Sequence, residues 1–144
     1  MEQLQVFECI TTKQYFQLKH SGHISKAHPS MCVVIIRPDK NGNPVRAKSR
    51  IVVLGNFKDC YYTKSQRYAP VLKYSSLCLL CSQAVSDQQV LQQGHCKNAF
   101  CHAHLPEDEL IVVRPPVDNP SYSKDEYWLL NKPLYGLWHS PHHF

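Results

Sequence analysis

Met31-Cys32-Val33-Val34-Ile35-Ile36, then Pro38-Asp39-Lys40-Asn41-Gly42-Asn43-Pro44, then Val45-Arg46-Ala47-Lys48-Ser49-Arg50-Ile51-Val52-Val53-Leu54, is the stretch on which the fold turns. The first run is rich in β-branched residues, which fit a pleated strand. Asn41-Gly42 supplies the positive φ angles of a tight hairpin turn. Val45–Leu54 reads as the returning strand, ended by Gly55. Strand side chains alternate, so Arg46, Lys48 and Arg50 share one face, about 7 Å apart. Three cations in a row suit a triphosphate or a nucleic-acid backbone. The same row also serves as a solvated face whose Lys and Arg block edge pairing.

Working outward, Thr11–Lys19 is expected to be a helix capped by Thr11 or Thr12, and His20–Ser30 a loop. Residues 56–70 read as irregular. Ser75 or Ser76 is placed as the cap of a helix to about Ser86, with Leu77, Leu79, Leu80 and Val85 as its apolar positions. Gln89–His95 is expected to be a strand leading into a turn near Asn98. Leu110–Val113, stopped by Pro115-Pro116, and Tyr127–Leu130 are short strands, and Leu134–Phe144 begins a helix. Strands mixed with helices give an α+β class, with an antiparallel hairpin sheet and packed helices. No internal repeat or low-complexity segment is present.

The 144 residues carry a net charge of +5, with 16 Lys and Arg against 11 Asp and Glu. The charge is uneven. Residues 1–73 hold 12 basic and 4 acidic side chains, and residues 74–144 hold 4 and 7. A basic half points to a polyanionic partner. The start lacks a basic region followed by an apolar run, and no apolar stretch approaches the roughly 20 residues that span a bilayer. An intracellular location is expected, with the 7 cysteines reduced and no membrane partner.

His95-Cys96-Lys97-Asn98-Ala99-Phe100-Cys101-His102-Ala103-His104 is rich in Cys and His, but its spacing does not match the paired ligands of structural zinc. Cys78 and Cys81 lie in an apolar helical run, which reads as buried small hydrophobes. His139, His142 and His143 are read as ligands for adventitious metal only. No Walker loop, nucleophile elbow or His-Glu-x-x-His is present.

Four segments taken in order resemble the Ty1/copia-type retrotransposon reverse transcriptase domain. They are Arg46–Asn56, Arg67–Leu72, Gln93–Phe100 and Leu134-Tyr135-Gly136-Leu137 with Ser140-Pro141. The resemblance covers residues 7–144 and implies a partial right-hand polymerase. Residues 1–80 would be a fingers-like part carrying the basic hairpin, and 81–144 part of the palm. Lys48 and Arg50 would face an incoming triphosphate. Lys97, Asn98 and Ala99 would offer backbone N–H groups to it, and Phe100 would lie under the sugar as a steric gate. Leu134–Pro141 would line the nucleotide and template side. The implied partners are an RNA or DNA primer–template, and the implied cofactor is Mg²⁺ held by carboxylates.

The departures from the family pattern bear on activity. His95 stands where the family has its first metal-binding aspartate. Neutral imidazole brings no negative charge, and protonated imidazole repels the ion. The family's paired-aspartate hairpin lies downstream of Leu-Tyr-Gly-Leu, and Asp87, Asp108 and Asp118 are not at matching positions. Trp138-His139 and His142 replace the usual basic or amide residues. The expectation is a fragment with no intact metal site, weak or absent dNTP binding and no polymerase activity. The alternative is a residual nucleic-acid-binding module on Arg46–Arg50.

Overall fold

Thr11 opens the first helix. Its hydroxyl accepts from the Gln14 N–H at 3.4 Å, and the Gln14 side chain accepts from the Thr11 N–H at 2.8 Å. This capping box satisfies two orphan donors and sets the start of α1 at Thr12–His20. Lys19 and His20 sit in the last turn, where cations complement the helix dipole. The computed structural model describes residues 5–55, 63, 68–119 and 122–143. Most of the segment 56–70 expected to be irregular lies outside the described residues.

A three-stranded antiparallel sheet of order β1-β5-β4 forms from β1 (Phe7–Thr11), β4 (Val112–Val113) and β5 (Glu126–Leu130). Phe7 pairs with Leu130, Thr11 with Glu126, and Val113 with Trp128. Each face of this sheet meets its own apolar cluster. Val113, Trp128 and Leu130 pack with Val6, Val53, Cys101, Leu134 and Leu137. Val112 and Tyr127 pack with Ile10, Tyr15 and Ile24. Tyr15 docks α1 by stacking on Tyr127, with ring centroids 4.3 Å apart at 9°.

The hairpin joins β2 (Ser30–Pro38) to β3 (Pro44–Val53) in an antiparallel pair. Asp39 organises the turn, since its carboxylate accepts from the backbone N–H groups of Asn41 at 2.8 Å and Asn43 at 2.9 Å. Gly42 takes the positive φ, at 87°. These bonds, the Asn43 N–H foremost, hold the Asp39 carboxyl below its usual range. Among the described residues the hairpin is anchored at its root. Val53 is buried, whereas Val34, Ile36 and Val45 are exposed at 58%, 61% and 69%.

Several expectations are corrected. Helix α2 runs Tyr74–Ser86, its N-cap is Lys73, and neither Ser75 nor Ser76 caps it. Leu79 and Val85 are exposed and only Ala84 is buried, so this helix is not packed as expected. Cys78 is likewise exposed and Cys81 half-buried, which removes the reading of both as core. Residues 89–95 form no strand, because no edge among the described residues pairs with them. Leu110–Val113 shrinks to Val112–Val113 as a strand, with the Ile111 carbonyl still accepting from the Leu130 N–H at 2.9 Å. Of the described residues 134–143 only α3, Ser140–His143, is helical, because Tyr135 bridges to Val52 instead. No helix among the described residues is long and apolar enough to cross a membrane.

Candidate functional site

The β2–β3 register opposes Arg46 to Arg37, Lys48 to Ile35 and Arg50 to Val33. Paired residues share a face, so Arg37 joins the row of three cations on β3. Residues Arg46 to Arg50 of β3 form one wall of a cleft of about 490 Å³. The opposite wall carries His95, Lys97 and Asn98, and Tyr135 completes the lining. No lining side chain is a carboxylate, and four are Lys or Arg. The Lys48 ammonium is pushed below its usual range, chiefly by the adjacent Arg50, then by partial desolvation, Arg37 and Arg46. Like charges crowded in this way make a field that attracts anions.

The second wall is built by the turn after His95. Asn98 adopts the left-handed conformation, φ 53° and ψ 44°, which Asn tolerates better than most residues. A short 3₁₀ turn, Ala99–His102, follows it. The Cys101 N–H donates to the Asn98 carbonyl at 2.8 Å, and His102 Nε2 lies 3.0 Å from the Lys97 carbonyl. Cys101 is fully buried, which roots the turn in the core. Ala99 and Phe100 are not among the cleft-lining residues, and Phe100 packs on Tyr135 at 4.8 Å.

Leu134-Tyr135-Gly136-Leu137 ties the two walls together. Leu134 and Leu137 are buried in the core beneath β3. The Tyr135 carbonyl accepts from the Val53 N–H at 2.8 Å. Gly136 has φ +92°, and a Cβ there would collide with the Val53 carbonyl oxygen. The Trp138 indole N–H donates to the Gly55 carbonyl. Of the Leu134–Pro141 segment, then, Tyr135 reaches the cleft, while Leu134, Leu137, His139 and Ser140 are buried. The Arg50 guanidinium lies 5.5 Å from the Tyr135 ring centroid, within cation–π range.

The Cys- and His-rich run does not converge on a common point. His95, Cys96 and His104 are exposed and Cys101 is buried. The described residues instead gather Glu109, His139 and His143, with one donor atom from each lying within 4.8 Å of the others. Sequence reading missed this group because Glu109 comes from a turn distant in the chain. Histidines at i and i+4 were its only local signal.

Residues 13–144 match the family described as reverse transcriptase (RNA-dependent DNA polymerase). The chain is similar to a retrovirus-related Pol polyprotein from transposon TNT 1-94 of Nicotiana tabacum, at 31% identity over 115 residues. That alignment covers 78% of this chain and 9% of the polyprotein. No solved structure matches the chain.

Proposed function

Because the chain belongs to the reverse transcriptase (RNA-dependent DNA polymerase) family, of the copia type, we propose that its basic cleft binds the phosphates of a primer–template and that the chain by itself does not join nucleotides. On this reading the hairpin is the fingers part and the half bearing Lys97-Asn98 the upper palm of a right-hand polymerase. The observation that carries the reading is the cleft lining. Arg46, Lys48 and Arg50 face Lys97 across one cavity that contains no anionic side chain.

Arg46, Lys48 and Arg50 hold phosphate oxygens by charge-assisted hydrogen bonds, and the guanidinium fork fixes their orientation. Lys97 and the turn at Asn98 approach the same phosphates from the other side. Tyr135 presents a ring at the cleft and Phe100 braces it from behind.

The family's divalent metal does not fit this lining. Mg²⁺ needs hard, preferably anionic oxygens, whereas the lining offers the His95 imidazole, at the position where the resemblance implies the family's first metal-binding aspartate, and no carboxylate. Four cations around the cavity raise the cost of placing a further divalent charge there. Without carboxylates, the electrostatic stabilisation on which phosphoryl transfer depends is lost. Phosphate binding needs none of those carboxylates and is retained.

Fluorescence anisotropy of a labelled primer–template, titrated across a range of salt, tests the reading. Each phosphate contact adds about 0.9 to the magnitude of the log–log salt slope. Changing Arg46, Lys48 and Arg50 together to Ala should lower that magnitude by about 2 to 3. An unchanged slope would remove the cleft from the interface.

A further inference from the structure

Glu109 closes a turn, with its N–H donating to the Pro106 carbonyl at 3.0 Å. That turn faces the start of α3, where the His142 and His143 N–H groups both donate to the His139 carbonyl, at 2.9 and 3.3 Å. One helical turn therefore stacks His139 and His143 on the same side. His139 Nε2 lies 3.1 Å from Glu109 Oε1, and His143 Nε2 lies 3.5 Å from Glu109 Oε2. The two imidazoles meet edge to face, 5.0 Å apart at 89°. His139 is 2% exposed, whereas Glu109 and His143 keep partial access to solvent.

These separations have a chemical meaning. In a tetrahedral zinc site with bonds near 2.0–2.1 Å, neighbouring donor atoms stand about 3.4 Å apart. The two nitrogen–oxygen distances, one to each carboxylate oxygen, lie near that value, and one donor atom from each of the three residues lies within 4.8 Å of the others. Both rings turn Nε2 towards the carboxylate, so three donors converge while one direction stays open to solvent. An ordinary buried ion pair needs one imidazole, whereas here the carboxylate meets two at once. We infer that Glu109, His139 and His143 form a binding site for a divalent transition-metal ion, zinc being the cation whose geometry they fit.

Two imidazoles and one carboxylate make a donor set of intermediate softness, which favours zinc and its neighbours over Mg²⁺. Burial outweighs the Glu109 charge and holds His139 below the usual histidine range. The neutral ring is the form that offers a lone pair. A bound ion clamps the Pro106–Glu109 turn to α3, which itself lies against the 3₁₀ turn of Ala99–His102. The site is separate from the basic cleft and shares none of its lining residues.

The test is calorimetric titration of the full chain with Zn²⁺ under reducing conditions, repeated in Glu109→Gln, His143→Ala and His142→Ala. Binding of one ion is expected, weakened at least about tenfold in the first two variants. His142→Ala should bind as the parent does, since that ring is engaged with the Tyr68 carbonyl at 3.2 Å instead. Circular dichroism of the metal-free variants confirms that each is folded before it is compared. Cobalt substitution should give a tetrahedral visible spectrum with no thiolate charge-transfer band, and Cys78→Ser/Cys81→Ser should leave it unchanged. Lack of saturable binding, equal loss in His142→Ala, or a thiolate band would each overturn the site.

Discussion

Gly136→Ala tests how the cleft is held together. Gly136 has φ +92°, beyond the left-handed region that L residues visit, and that conformation costs Ala about 1–2 kcal/mol. The added methyl would also overlap the Val53 carbonyl oxygen and stand 2.8 Å from Val52 Cγ1. A backbone oxygen cannot rotate away, so β3 and the 134–137 segment must separate. The Val53–Tyr135 hydrogen bond weakens with that movement, a loss of about 1 kcal/mol. The combined destabilisation is about 2–4 kcal/mol, a large share of the 5–15 kcal/mol typical of a domain. Gly42→Ala is the matched control. It has φ +87° with nothing within 4 Å of the new atom, so it carries the conformational cost alone. Urea unfolding followed by the emission of Trp128 and Trp138 compares the two. Equal effects of the two substitutions would refute the claim that close backbone approach at Gly136 joins the walls of the cleft.

Three further outcomes follow from the same structure. Thr11→Ala removes the capping box of α1 and should lower stability by about 1 kcal/mol, read as a shift in urea midpoint without change in slope. His139, facing Glu109, His143, His142 and His28, is depressed by burial in the folded chain. The unfolded chain therefore takes up a proton first, near the ordinary value of 6.5, and the folded chain only at lower pH. Metal-free protein in chelator should thus lose stability as pH falls below about 7, and a flat midpoint between about pH 7.5 and 5.5 would contradict this. Tyr135→Ala removes the ring between Arg50 and Phe100 and should weaken primer–template binding severalfold, with the salt slope unchanged because no charge is lost.

The hairpin and α1 were legible because their determinants are local. A β-branched run, Asn-Gly and a Thr-x-x-Gln cap act over a few residues. Strand β1 was missed because Phe7–Thr11 is defined by pairing with Glu126–Leu130 at the far end of the chain. Gln89–His95 failed for the opposite reason, since strand-like composition does not supply a neighbour to bond with. The helix expected from Leu134 is confined to Ser140–His143, because burial of Leu134 and the bridge from Tyr135 to Val52 hold the residues before it out of helix. Alternation alone placed Arg46, Lys48 and Arg50 on one face. That this face meets Lys97 and Asn98 across a cleft is a tertiary fact, and only the family resemblance hinted at it. Glu109 had no such hint, and the cluster it forms with His139 and His143 emerged only in three dimensions.

Primer extension and primer–template binding, measured side by side on the same preparation with Mg²⁺ or Mn²⁺ present, test the separation of binding from chemistry most directly. The expected result is salt-dependent binding with no added nucleotide, for the native chain and for His95→Asp alike, since the cleft lining offers no second carboxylate beside the introduced one. Nucleotide addition by the unaltered 144-residue chain would contradict the account.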